Sequence, residues 1–387
     1  MNSLSRPILW ALLPLILIVA VATAFLASDP LGPFRGSAPP VEELMIERTT
    51  LDEHGIGVRV RAGGSEPMKI VQVQVDGAYW TFSQDPGGAL DRMSTAWLHI
   101  PYPWVSGEAH HLTLITSTGT LFEHSIDVAV ATPGMTTERL TFYALIGLFV
   151  GVVPIALGMM FYPALRAGGP AVFEFALALT IGLLAFLLVD TLAEGLEFAG
   201  EAAAQFHGPA LVWLPAALTF AVLMAIGRRK GEPLSGVALA TSIALGIGLH
   251  NLGEGLAIGA AFATGAAALG SFLVIGFTLH NITEGIGIAA PMLAERPRFK
   301  TFVALVALAG LPAVLGIWIG SFAFSAHWAA LALGIGAGAI LQVIVEVGAY
   351  LARKSREQGR SWASVTILAG VTLGIVVMYA TAFLVQV

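Results

Sequence analysis

His250-Asn251-Leu252-Gly253-Glu254-Gly255 and His280-Asn281-Ile282-Thr283-Glu284-Gly285 are two copies of one pattern, His-Asn-x-x-Glu-Gly, set in two successive apolar segments. An ionisable side chain at the middle of a bilayer-spanning helix costs about 2.5–3.5 kcal/mol on insertion scales, so two Glu and two Asn on neighbouring helices require a bound cation or one another. Positions i and i+4 share a helix face, so His250 with Glu254, and His280 with Glu284, each present an imidazole and a carboxylate together. Face to face, two such helices form a four-ligand nitrogen/oxygen site suited to a metal ion. The chain has no cysteine, which excludes thiolate ligands, disulfides and thiol redox chemistry.

Outward from the hexapeptides the match continues: Gly246–Ala260 aligns with Gly276–Ala290 at one fixed offset. The composition makes the surroundings a membrane. Hydrophobic residues are 56% and charged residues 11% of the chain, with 44 glycines and a mean hydropathy of +0.81, far from the soluble norm. Long apolar runs near 140–163, 171–198, 209–227, 236–263, 268–292, 301–323, 329–352 and 363–385 are each long enough to span the bilayer core, which takes about 20 helical residues. Lys and Arg alternate with them: Arg166 after the first run, Arg228-Arg229-Lys230 after the third, Arg296, Arg298 and Lys300 after the fifth, Arg353, Lys354, Arg356 and Arg360 after the seventh. The positive-inside rule makes those loops cytoplasmic, so the preceding domain and the C-terminus lie outside. His250 and His280 then stand about 18–21 Å deep from opposite faces at 1.5 Å per residue. They meet near the midplane, on helices of opposite direction, as secondary transporters arrange their substrate sites. The clustered glycines suit close helix packing.

Before the first run the character changes. Residues 1–27 carry Arg6 and an apolar stretch, read as a signal peptide or a membrane anchor that exports the segment behind it. Residues 28–138 hold five of the nine His, namely His54, His99, His110, His111 and His124, and alternating stretches at 57–61, 70–75, 96–100, 112–115 and 126–130. Period-two patterning with Gly, Pro and Asp turns predicts a small extracytoplasmic β-sandwich. Its histidines are read as surface residues, with metal capture as the alternative. The net charge of −6 says little because sign is segregated by loop, and no nucleic-acid partner is expected.

The motif pair, eight spans and both flanks outside resemble the ZIP (Zrt/Irt-like) family of divalent metal transporters, over roughly 140–387. The resemblance implies an all-α bundle of eight transmembrane helices with inverted repeats, residues 139–387, around the fourth and fifth helices. It implies Zn(II) or a related first-row cation as substrate, moved into the cytoplasm across the plasma (inner) membrane. By position it implies His250, Glu254, His280 and Glu284 as the primary metal site, with Asn251 and Asn281 on a flanking one. Gly253 and Thr283 stand where the family has proline. Gly310-Leu311-Pro312 lacks the acid that the sixth helix often supplies, and Val347 leaves Glu346 as the remaining member of an exit-side acid pair.

Asp190, Glu194 and Glu197 fall on one face of the second run, at i, i+4 and i+7. Asp190 and Glu194 are read as pathway residues, Glu197 as a solvated helix end, and Glu346 as an exit-side ligand, its alternative being a residue bonded to Gln342. Imidazole plus carboxylate suits zinc, iron, manganese, cobalt and cadmium alike. Readings of other classes are polar glue between helices, a metal-sensing receptor using the β-domain, and an intramembrane zinc hydrolase. The hydrolase needs an open ligand position and an acid or base, and no His-Glu-x-x-His occurs. Expected partners are metal ions and the lipid bilayer, with a homodimer left open and the β-domain's ligand unassigned.

Overall fold

The computed structural model describes residues 5–28, 41–132, 134–202, 206–228, 234–263, 267–357, 359 and 361–385. The loop cations Arg229, Lys230 and Arg360 lie outside the described residues. Helix α1 (Ser5–Ser28) presents its described apolar side chains, Ile16 to Phe25, on the exterior. Among the described residues, eight helical segments are long and apolar enough to cross a membrane. The first is assembled from α2 (Thr137–Gly147), a π-helical turn (Leu148–Val152), α3 (Val153–Met159) and α4 (Tyr162–Ala167). Thr136 caps its start by accepting from Arg139 N. Pro154 has no N–H for Val150 O and its ring crowds that turn, which is where the ladder widens. Spans two to eight are α5 (Gly169–Glu201), α6 (Ala210–Gly227), α7 (Gly236–Ala263), α8 (Ala267–Ala289, continued by a 3-10 turn Ala290–Ala294), α9 (Phe299–Ala323), α10 (Ala326–Glu357) and α11 (Val365–Val385). One expectation is corrected. Arg353, Lys354 and Arg356 belong to the last turns of α10 rather than to a loop, where cations complement the helix C-terminus.

The helices pair so that exchanging first with sixth, second with seventh, third with eighth and fourth with fifth maps contacts onto contacts. α7 on α9 corresponds to α8 on α3, α5 on α11 to α10 on α6, and α5 on α8 to α10 on α7. This is the signature of an inverted repeat. Glycine sets the two central contacts. A Cβ on Gly255 would run into Ala313 O and one on Gly285 into Ile155 O, so the last residue of each hexapeptide is what lets its helix touch its neighbour.

The N-terminal unit is a sandwich of two antiparallel four-stranded sheets, β1-β2-β6-β5 and β4-β3-β7-β8. The strands are β1 (Leu44–Asp52), β2 (Gly55–Ala62), β3 (Ile70–Val75), β4 (Ala78–Trp80), β5 (Ser83–Asp85), β6 (Thr95–Ile100), β7 (His110–Thr116) and β8 (Leu121–Ile126). Val58, Val60, Val73, Leu98, Leu112 and Leu114, alternate residues of facing strands, fill its core with no exposure. The stretch expected as a strand at 126–130 is not one. The strand ends at Ile126, and Ala129 instead exchanges backbone bonds with Gly107 and Glu108. β1 escaped the period-two reading because a bulge between Ile46 and Arg48 breaks its alternation. His110 is buried, not a surface residue: its Nδ1 lies 2.9 Å from Asp76 Oδ2.

The sandwich sits on the bundle end where α9 gives way to α10. Arg48 Nη1 donates to Phe322 O (2.5 Å). The Arg61 guanidinium, held by Glu47 at 2.5 Å, lies 5.4 Å from the ring centre of Phe206, which stacks on His327 at 4.7 Å.

Candidate metal centre

α7 and α8 bring the two motifs together in the middle of the bundle. His250, Asn251, Glu254, His280, Asn281 and Glu284 are all buried, His280 the most exposed at 7%. Ligand atoms of His250, His280 and Glu284 lie within 4.8 Å of one another. Glu254 is drawn in beside them: its Oε1 is 2.5 Å from His280 Nε2 and 3.2 Å from His250 Nε2. The two carboxylates differ. Glu254 is hydrogen-bonded to His280 and, through Oε2, to Asn281 Nδ2 at 3.4 Å, with His250 Nε2 close by, whereas neither oxygen of Glu284 makes a regular hydrogen bond. A buried carboxylate without a donor is costly, and a cation is the partner that would satisfy it.

The asparagines repeat the inverted symmetry at atomic scale. Asn251 Nδ2 donates to Ala309 O of α9 and Asn281 Nδ2 to Val150 O of the first span, each at 3.0 Å. Val150 O is the carbonyl that Pro154 leaves without its usual donor. With both amides anchored by nitrogen, Oδ1 of Asn251 and Oδ1 of Asn281 are left buried and unpartnered, as bare acceptors. Each hexapeptide thus fastens to its neighbour helix twice, by Gly and by Asn, and keeps His and Glu for the centre.

Thr191 of α5 was not legible in the sequence. Its Oγ1 lies 2.8 Å from His250 Nδ1. With the proton on Nδ1, His250 donates to Thr191 and turns the Nε2 lone pair toward the carboxylates, the orientation a metal-binding imidazole needs. The one signal was position, since Thr191 comes directly after Asp190 on the acidic face of α5. The positions where the family has proline are continuous helix. Gly253 packs against the Leu333 side chain, whose Cδ2 a Cβ would displace, and Thr283 Oγ1 donates back to His280 O at 2.6 Å.

Of the pathway residues, Asp190 is exposed and Glu194 is half-buried, within electrostatic range of His250 and Glu254, while Glu197, read as a helix end, is exposed. Glu346 is fully buried near the far end of the bundle. Its Oε1 accepts from Arg228 Nε at 3.0 Å and its Oε2 from Leu234 N at 3.3 Å, while Gln342 bonds Ser242 instead. Arg228 and Leu234 border the link between α6 and α7, so Glu346 ties that link to α10. No acidic group of α9 reaches the centre; its contribution is Ala309 O.

Residues 225–382, from the end of α6 through α11 and including both hexapeptides, match the family model described as ZIP zinc transporter. No curated protein matches the chain. Eight apolar spans, the inverted pairing and the matched stretch agree: over residues 225–382 the chain is similar to the ZIP family, whose members are metal transporters rather than enzymes, and it is an integral, multi-pass membrane protein.

Proposed function

We propose that this protein carries zinc, or a related divalent cation of the iron, manganese, cobalt and cadmium group, into the cytoplasm through a midplane site of His250, Glu254, His280 and Glu284 on α7 and α8. Asn251 and Asn281 supply neutral oxygens beside it. The observation that carries the reading is a buried Glu284 carboxylate, neither oxygen of which makes a regular hydrogen bond, grouped with two imidazoles whose ligand atoms lie within 4.8 Å of its own. Orientation rests on charge. The end opposite the sandwich bears Arg166, Arg228, Arg296, Arg298 and Lys300, which by the positive-inside rule is the cytoplasmic side. Residues 28–138 and the C-terminus are then outside, as fits a plasma-membrane protein. Residues 1–27 are an export segment and 139–387 the transport domain. Asp190 and Glu194 lead inward from the outer side and Glu346 serves the exit once Arg228 releases it. The test is metal analysis of the purified chain together with flux into proteoliposomes from a panel of divalent ions. Uptake of none of them would defeat the proposal; uptake that survives loss of Glu284 would defeat the site.

A further inference from the structure

A groove of about 640 Å³ opens on the outer surface of the bundle between the first and sixth spans. Val152, Ala156 and Met159 form one wall and Phe302, Val306 and Leu311 the other. Its end is not apolar. Tyr162 lines it there, Arg166 Nη1 donates to the Tyr162 hydroxyl at 2.8 Å, and both groups also donate to Glu295 O. Phe299, also in the lining, is flanked in the chain by Arg298 and Lys300, which are exposed and make no ion pair among the described residues. The groove therefore joins a slot shaped for hydrocarbon to a cationic rim at the helix ends, where a bilayer's headgroups lie.

We infer that this groove binds one anionic phospholipid, an acyl chain lying between the first span and α9 and the phosphate held by Arg298 and Lys300 beside the Arg166 guanidinium. Hydrocarbon alone would not discriminate among lipids. The rim does, because each basic side chain near the surface favours an anionic headgroup by about fivefold. A second copy of the chain suits the face less well. A two-fold contact there would set Arg298 and Lys300 against their own counterparts, like charges with nothing between them. The inference is independent of the metal site.

The test is native mass spectrometry of the full chain, released from detergent in equal amounts of phosphatidylglycerol and phosphatidylcholine. The unmodified protein should retain one phosphatidylglycerol in preference to phosphatidylcholine. Arg298→Ala with Lys300→Ala should lower that preference about 25-fold. Ala307→Trp, which fills the slot, should abolish retention of both lipids. Because Arg298 and Lys300 are exposed, the double variant reads headgroup selection even if the tryptophan variant does not fold. Equal retention of the two lipids by the unmodified protein, an unchanged preference in the double variant, or a dimer that excludes lipid from the groove would each overturn the inference.

Discussion

Glu254 and Glu284 are the same residue in the same motif, yet the first is closed in by His250, His280 and Asn281 while the second is bare. A proton shared between Glu254 Oε1 and His280 Nε2, 2.5 Å apart, would have to leave on metal entry, because a ligating imidazole nitrogen and carboxylate both give up their protons. Calorimetry at pH 6 in buffers of different ionisation heat should show about one proton released per metal, and affinity should weaken between about pH 7.5 and about pH 5.5. A pH-indifferent affinity would argue against histidine ligation. Glu254→Ala or His280→Ala should abolish flux in a chain that still folds, since each removes one of four ligands; Thr191→Val, which only orients His250, should weaken metal binding 10-fold or somewhat more, within the roughly 10- to 100-fold typical of such supporting residues. Only one ion should bind tightly. Two divalent ions about 4 Å apart repel by on the order of 16 kcal/mol at an effective dielectric near 20, and Gly310-Leu311-Pro312 adds no negative charge. Titration of the full chain, with the Glu254→Ala variant subtracted to remove any binding by the β-domain, should give one site; two would mean that some other ligand completes a second.

Between elements, the motif glycines matter as much as the ligands. Gly255 against Ala313 O and Gly285 against Ile155 O leave no space for a methyl group, and the obstructing atoms are backbone, which cannot swing aside. Gly285→Ala or Gly255→Ala should cost about 1–3 kcal/mol through overpacking and should reduce transport by moving a ligand-bearing helix. A thermal melt in detergent alongside flux would register both, and a silent substitution would mean that these helices do not pack this closely. The proline at 154 acts through another element altogether, since it leaves Val150 O to anchor Asn281. Arg48 and Arg61 join the sandwich to α9 and to the α5–α6 link by one hydrogen bond and one cation–π contact, so Arg61→Ala should speed proteolytic release of the sandwich while leaving metal binding intact.

Across the whole molecule the two domains answer to different conditions. In the sandwich, burial would raise the Asp76 carboxyl from its usual 3.8, but hydrogen bonds from His111 N, the His110 ring and the Tyr102 hydroxyl outweigh it and hold it lower. A depressed carboxyl stabilises the fold above its unfolded pKa, and that stability is lost as pH falls through the folded one. The sandwich should therefore lose stability below about pH 4, and Asp76→Asn should flatten that acid limb in melts of the sandwich's near-ultraviolet signal. The sequence by itself determined the solvent, the eight spans, the alternating loop charge and the hexapeptide pair. These come from hydropathy, period and the cost of burying carboxylates, all of which act locally along the chain. It also made an all-β N-terminal unit legible, though not β1, whose bulge breaks the period, nor the three-residue β4 and β5, nor β8, which ends at Ile126 where a strand was expected to begin. Only the tertiary structure decided that Thr191 orients His250, that Asn251 and Asn281 spend their nitrogens on neighbouring helices, that Glu346 is held by Arg228, and that His110 is buried. Each of those depends on which atom of a distant residue lies within 3 Å or so, a matter of helix packing that no spacing along the chain encodes.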